Sequence, residues 1–294
     1  MKPIDDPASP LDKSFVLITA AAGGLGKALA AECASRGWNL FLSDIRLDLL
    51  EPLAEGMRRM YGVEVISQGA DLTSDQERDA LWQTIDRLGL CFHFLINVAG
   101  MEYEGLFTER SVDELRTILR LNVETGVEMT SQALRRRVKD SRFYILNISS
   151  MAGFYPMPVK AIYAATKRFI IDYSLALRTE LRSEGVSITV LCPSGMPTSE
   201  RSIRGLQRQG IIGQFVMADV GHVAYRAIQK TLAGQAIYIP GVLNRWLHFI
   251  SGFLPVTWKT AFIWKRWTGT RQKQSAAEAL TSIKKSGDNP LTYR

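Results

Sequence analysis

Strand-length apolar runs alternate with helix-length amphipathic stretches along almost the whole chain, and few architectures accept that rhythm. The first run, Phe15–Thr19, breaks into small residues and then a helix that continues to about Arg36. Leu40–Ser43 is the second run, and Leu47–Met60 is the helix after it. Val63–Ser67 is a third strand, and Asp71 and Ser74 then give a helix start signal. Phe92–Asn97, Phe143–Ile148 and Val186–Leu191 follow as strands, with Ala236–Ile239 a seventh. Two long helical regions, Ser111–Arg137 and Ala161–Ser183, lie among them. Parallel strands need long crossovers, which helices provide, and such crossovers are right-handed. The pattern therefore predicts an α/β fold: a doubly wound parallel sheet of Rossmann type with helices on both faces.

A chain of 294 residues, 46% apolar, suits one large α/β domain with an appendage. Its net charge of +7 would suit a nucleic-acid binder, but the charge is unevenly placed. Residues 241–294 hold nine Lys/Arg and two Asp/Glu, whereas residues 1–240 balance at 27 of each. A neutral body with a basic tail points to an anionic surface or to simple solubility, and no nucleic-acid recognition signature is present. Cys33, Cys91 and Cys192 are odd in number and far apart, so they suggest neither a metal cluster nor a disulfide framework. That usage, and a polar start without the marks of a targeting segment, lead us to expect a cytoplasmic protein.

The first turn reads Thr19-Ala20-Ala21-Ala22-Gly23-Gly24-Leu25-Gly26, between a strand and a helix. Small residues let backbone approach a pyrophosphate, and a helix N-terminus offers free N–H groups and a positive dipole end. The second strand ends in Asp44, roughly 20 residues after that turn. An acid there can accept hydrogen bonds from ribose hydroxyls and repels a 2′-phosphate, which favours NAD over NADP. Arg46, two residues on, could instead grip a phosphate.

Tyr163 and Lys167 open the second long helix four residues apart, on one face and one turn from each other. An ammonium beside a phenol lowers the phenol pKa from about 10, and a phenol so tuned can act as general acid or base. Ser150 stands thirteen residues before Tyr163, just past the fifth strand, at the end of the sheet where ligands bind. Taken alone, Tyr-x-x-x-Lys fits an ordinary surface helix far better than a catalytic one.

Taken together, these motifs resemble the short-chain dehydrogenase/reductase family over about residues 13–240. The glycine turn is similar to its TGxxxGxG element, Asp71-Leu72 to its adenine-contacting Asp, and Asn97-Val98-Ala99-Gly100 to its NNAG strand end. Asn122 stands where the family has a helical Asn, and Ser150, Tyr163 and Lys167 match its Ser–YxxxK set. Pro193-Ser194-Gly195-Met196-Pro197-Thr198 is similar to its PGxxxT segment. The chain departs from the family at Ala20, Val98 and Ser194, which replace Gly, Asn and Gly. The resemblance implies an NAD(P)-dependent enzyme acting on CH–OH groups. It implies that Tyr163 exchanges a proton with the substrate oxygen and that Ser150 hydrogen-bonds that oxygen. Lys167 would lower the Tyr163 pKa and hold the nicotinamide ribose, and Asn122 would position a relaying water. The cofactor would lie against Thr19, Gly23, Gly24, Leu25, Gly26, Asp44, Arg46, Asp71, Leu72, Asn97, Ala99 and Gly100. Tyr163, Lys167, Pro193, Met196 and Thr198 would complete its site. No metal is implied. The two long helices pack between subunits in similar proteins, so a homodimer or homotetramer is expected.

Residues 1–240 therefore read as a dinucleotide-binding and catalytic domain, 241–269 as an amphipathic helical extension, and 270–294 as a polar tail. The extension mixes Trp246, Phe249, Phe253, Trp258, Phe262, Trp264 and Trp267 with Arg245, Lys259, Lys265 and Arg266. It is too short and too interrupted to span a bilayer, and it suits a helix lying in the headgroup layer over residues 244–267. A packing arm over the pocket or a neighbouring subunit is the other reading. The apolar extension tilts the expected substrate, a secondary alcohol or ketone, toward a hydroxysteroid or another lipophilic compound. Arg201, Arg204 and Arg208, in the segment that is the substrate lid in similar proteins, fit a solvent-facing helix at least as well as an alternative function that Asp44 opposes: a 3-oxoacyl reductase using NADPH and an acyl-carrier or coenzyme A ester. A third reading is a non-catalytic nucleotide sensor or scaffold, and the Asn–Ser–Tyr–Lys set opposes it. His93, His222 and His248 are isolated and read as packing residues. Glu102, Tyr103 and Glu104 read equally as a pocket mouth or a solvated loop.

Overall fold

A computed structural model describes residues 14–195 and 219–265. In chain order the elements begin β1 (Ser14–Thr19), α1 (Gly24–Ala34), β2 (Asn39–Asp44), α2 (Leu47–Tyr61), β3 (Val65–Gly69), α3 (Asp75–Arg87) and β4 (Cys91–Asn97). Next come α4 (Val112–Leu119), a π-helical turn (Arg120–Glu124), α5 (Thr125–Arg135) and β5 (Phe143–Ile148). A 3-10 turn (Met151–Phe154), α6 (Ala161–Glu180), β6 (Val186–Leu191), α7 (Val220–Leu232), β7 (Ile237–Tyr238) and α8 (Val242–Gly252) follow. The seven strands form one parallel sheet in the order β3-β2-β1-β4-β5-β6-β7. The strand order reverses between β1 and β4, so their C-terminal ends border the crevice where such sheets bind ligands.

Successive strand side chains point to opposite faces, and both faces are covered. Val16, Ile18, Leu40 and Leu42 pack with Leu29 of α1, Leu50 of α2 and Ile228 of α7. Phe15, Leu17 and Phe41 pack on the other side with Trp82 of α3 and Met129 of α5. β1 is buried throughout, which is why it reads as an unbroken apolar run rather than an alternating one. Buried Arg78 joins α3 to the segments around the π-turn and α5, reaching Asp75 at 2.6 Å, Glu124 at 2.8 Å and Glu128 at 2.6 Å. The expected doubly wound parallel sheet is the observed one.

The details differ in three places. β3 begins at Val65 rather than Val63, because Gly62 ends α2 in the left-handed region (φ 69°) and Val63 is drawn into the core beside that helix. The region expected as one helix over 111–137 is broken by the π-turn at Arg120–Glu124, which carries Asn122. α7 was not expected at all. Asp219 caps it by accepting from the His222 N–H at 2.6 Å, and Val223, Ala224, Ala227 and Ile228 form a buried stripe at helical spacing. Among the described residues no helix is long and apolar enough to cross a membrane. Met196, Thr198, the arginines expected in the lid and the 270–294 tail lie outside the described residues.

Candidate active site

The glycine turn is shaped by its backbone. Ala20 adopts φ +50°, a left-handed conformation that costs an L-residue about 1–2 kcal/mol. A Cβ on Gly26 would lie 2.3 Å from the Ala20 carbonyl oxygen and 2.8 Å from the Ala21 Cα, so no side chain fits there. Gly23 precedes α1 without a side-chain cap, and the first turn of α1 carries no acid. The start of α1 thus has no cap of its own, and its small residues leave room for a close anion, as a dinucleotide pyrophosphate requires. Thr19, expected at the cofactor, is fully buried, and its hydroxyl accepts from the Val98 and Ala99 N–H groups, each at 3.0 Å. It joins the end of β1 to the end of β4.

Asp44 and Arg46 stood as rivals in the sequence, but the structure brings them together. The buried Asp44 carboxylate accepts from the Ala22 N–H at 2.9 Å and the Arg46 N–H at 3.0 Å. The Arg46 guanidinium donates to it from Nε at 3.2 Å and Nη2 at 3.4 Å. Nη2 also lies 3.8 Å from where a Gly23 Cβ would be, so the guanidinium sits against the turn. Asp71 closes its own turn by accepting from Thr73, while the carbonyl of buried Leu72 accepts from Arg78 and Thr125. Asn97 starts a chain of amides across the sheet: its Nδ2 donates to Asn147 at 2.9 Å, and Asn147 donates to Ser174 of α6 at 2.8 Å. Val98, where similar proteins have a second Asn, packs against the core.

The residues expected to handle protons gather at the C-terminal ends of β4 and β5. Tyr163 and Lys167 are one turn apart on α6, with the Lys167 Nζ 5.8 Å from the phenol ring centroid. Lys167 is buried, and its ammonium donates to the Ile148 carbonyl at 3.0 Å. Ser149 holds the same residue from behind by donating to the Lys167 carbonyl at 2.7 Å. Ser150 caps the 3-10 turn, accepting from the Ala152 N–H at 3.1 Å. The Met151 N–H donates to the Pro193 carbonyl at 2.9 Å, which brings the segment after β6 to the same place. Asn122 Oδ1 accepts from the Met101 N–H, and its Nδ2 donates to the Met101 carbonyl and to Thr166 of α6. Gly100 lies between these groups. A Cβ there would come within 3.1 Å of Lys167 Nζ and 3.2 Å of Asn122 Oδ1.

The sequence pattern of the family described as short chain dehydrogenase matches residues 14–205. This chain belongs to that family. Its short-chain dehydrogenase relatives include 17-beta-hydroxysteroid dehydrogenase type 3 of Homo sapiens, 32% identical over 64% of this chain and 63% of the relative. Another is the very-long-chain 3-oxoacyl-CoA reductase of Bos taurus, 30% identical over 65% of this chain and 62% of the relative. The matched segments thus span somewhat less than two thirds of either relative. Among solved structures, a short-chain dehydrogenase from Sphingobium yanoikuyae in complex with NADPH superposes with a TM-score of 0.68 at 25% identity. That likeness covers 96% of this chain and 98% of the other.

The electrostatics of this short-chain dehydrogenase site depart from the sequence expectation in one respect. Burial, reinforced by Glu102, raises the Tyr163 phenol above its ordinary value, and hydrogen bonding to Ser150 works in the opposite direction. Lys167 does not lower it here, because the ammonium is directed at the Ile148 carbonyl rather than the phenol oxygen. Burial lowers Lys167 itself to about 8. The group can therefore exchange a proton near neutral pH.

Two contacts at the site went unread in the sequence. Lys160, just before α6, pairs with Glu102 and lies 3.3 Å from Glu104, pinning the loop after β4 to the start of the helix that carries Tyr163. Ser194, a departure from the family pattern, receives the Asn244 amide of α8 at 3.1 Å. That serine was itself the available signal: a hydroxyl in place of Gly can accept a hydrogen bond.

Proposed function

We propose that this short-chain dehydrogenase interconverts a secondary alcohol and a ketone, using a nicotinamide dinucleotide and the set Tyr163, Ser150, Lys167 and Asn122. The observation that carries this reading is their convergence, from α6, the 3-10 turn and the π-turn, at the end of the crevice bordered by β1 and β4. When bound, the nicotinamide gives or takes the hydride. Tyr163 exchanges a proton with the substrate oxygen, and the Ser150 hydroxyl hydrogen-bonds that oxygen as charge develops. Lys167 holds the nicotinamide ribose, and Asn122 positions a water that refills the relay.

The uncapped start of α1 with Gly23, Gly24, Leu25 and Gly26 suits the pyrophosphate. Asp44 and Arg46 face the adenosine ribose, Asp71 and Leu72 the adenine, and Asn97, Ala99 and Gly100 the middle of the cofactor. Pro193 holds the nicotinamide end; Met196 and Thr198, expected beside it, lie outside the described residues. We read the cofactor as NAD, on the strength of the Asp44 carboxylate. The named relatives and the apolar C-terminal segment support a lipophilic substrate such as a hydroxysteroid. Leu119, Val127 and Phe169, exposed on α4–α6, support a homo-oligomer, and the free thiols fit a cytoplasmic location.

One observation favours a second reading, NADPH-dependent reduction of a 3-oxoacyl ester. Arg46 is half-exposed beside the turn, where it could meet a 2′-phosphate, and the Bos taurus relative is a 3-oxoacyl-CoA reductase. Turnover of steroids, 3-oxoacyl esters and simple alcohols with each of NAD(H) and NADP(H) decides between them. Absence of turnover across that panel would overturn both.

A further inference from the structure

The last described helix is built inside out. The residues by which α8 meets the body are polar and fall at i, i+4 and i+7. The amide of buried Asn244 donates to the Ser194 hydroxyl and, at 2.8 Å, to the Pro240 carbonyl. The His248 ring lies 4.0 Å from that of Phe154, and the Ser251 hydroxyl meets the Tyr155 hydroxyl at 3.0 Å. The outward face carries Trp246, Phe249, Ile250 and Phe253, with the three aromatic rings in contact edge to face. Of the 23 large hydrophobic side chains exposed among the described residues, 12 lie in 242–264, so they are concentrated in this segment rather than scattered over the chain. A helix on a water-soluble surface shows the opposite arrangement, and a patch of this kind marks an interaction site.

Charge selects the partner. No Asp or Glu occurs between Asp219 and Glu278, while Arg245, Lys259 and Lys265 lie in the same stretch, Arg245 donating to the Ile239 carbonyl at 3.2 Å. Lys259 turns its ammonium back to the Ser251 carbonyl at 3.1 Å, with its stem along the segment. A second copy placed on this face would set like charges against each other. An anionic headgroup layer would neutralise them, and Trp and Phe suit its boundary.

We infer that residues 242–265 form a docking surface for an anionic lipid bilayer, with the outer face of α8 in the acyl boundary and the basic side chains among the phosphates. Phe154 and Tyr155 follow closely on Ser150 and hold the inner face of α8, so the docked surface and the catalytic pocket share a wall. A lipophilic substrate dissolved in the bilayer would then reach the pocket without crossing water. That consequence rests on the proposed reaction, whereas the docking does not.

Flotation of the full chain with phosphatidylcholine vesicles, with and without phosphatidylserine, tests the docking separately from turnover. The chain is expected to rise with the anionic vesicles, to be released by raised salt, and to bind neutral ones more weakly by about fivefold per engaged basic side chain. A Trp246→Ser/Phe249→Ser/Phe253→Ser variant is expected to stay at the bottom while keeping its circular dichroism and melting temperature. If that variant loses its fold, Trp246→Ser alone is compared, with at least about tenfold weaker partitioning expected. Failure of the full chain to float with either vesicle, or equal flotation of wild type and folded variant, would overturn the inference. So would self-association of the wild type through this face, abolished in the variant, with neither floating.

Discussion

The side-chain amide of Asn122 holds the backbone of Met101 at both of its polar groups, accepting the N–H at 2.8 Å and donating to the carbonyl at 3.0 Å. A strand edge would do the same, so the amide acts as one extra rung beyond β4. The π-turn makes this possible by placing the residue across from Gly100 and Met101 rather than along the continuing helix. Asn122→Asp puts an acceptor where Nδ2 now donates to two oxygens. It is expected to cost about 2–3 kcal/mol and to lower turnover more than Asn122→Ser does. Urea unfolding and steady-state kinetics on both variants check this.

Tyr163→Phe removes the proton-carrying oxygen and leaves the ring packing intact. Turnover is expected to fall by about a thousandfold, in line with general acid–base contributions, while dinucleotide binding by fluorescence titration changes little. Near-normal turnover in this variant would end the proposed mechanism.

The glycine turn gives a pair of opposite outcomes. Gly26→Ala forces a Cβ into the Ala20 carbonyl and is expected to abolish dinucleotide binding or the fold. Ala20→Gly relieves the left-handed strain at φ +50° and is expected to raise stability by about 1 kcal/mol, read as a higher melting temperature.

The Asp44–Arg46 pair makes cofactor choice measurable. Arg46→Ala removes a charged donor from the place where a 2′-phosphate would lie and leaves the carboxylate. Affinity for NADP(H) is expected to drop by at least about tenfold, with NAD(H) affected only a few-fold. Isothermal titration with both dinucleotides checks it, and an unchanged ratio would dismiss Arg46 as a determinant.

His93 is buried against Trp38, with Nδ1 bonded to the Ser14 hydroxyl, and burial lowers its pKa from 6.5 to about 4. Between those values the unfolded chain binds a proton that the folded chain refuses. Stability therefore falls as pH drops through that window, by on the order of 3 kcal/mol once it is crossed. A urea midpoint followed from pH 7 to pH 4 should show this limb, and His93→Gln should flatten it.

The sheet was readable because a parallel strand buried on both faces leaves an apolar run that little else produces, as in Phe15–Thr19 and Val186–Leu191. The π-turn at Asn122 left no such trace, since its residues keep a helical composition and only the packing of Gly100 and Met101 requires the irregularity. α7 was legible but went unread: Asp219 and the stripe beginning at Val223 are ordinary start and face signals. At the site, spacing placed Tyr163 beside Lys167 on one helix. Spacing could not show that the ammonium would point at the Ile148 carbonyl, because that depends on an element from elsewhere in the chain. The union of Asp44 with Arg46 is hidden for a similar reason: two residues apart, they read as alternatives, whereas the bend after β2 folds one onto the other.

The single hydroxyl of Thr19, bonded to two consecutive N–H groups of the strand end beside it, fixes the width of the crevice on that side. β1 and β4 cannot part there without stranding both donors away from water. That side of the crevice is thus held at a set width whether or not a dinucleotide lies in it. One rim is a fixed abutment, built from a single side chain.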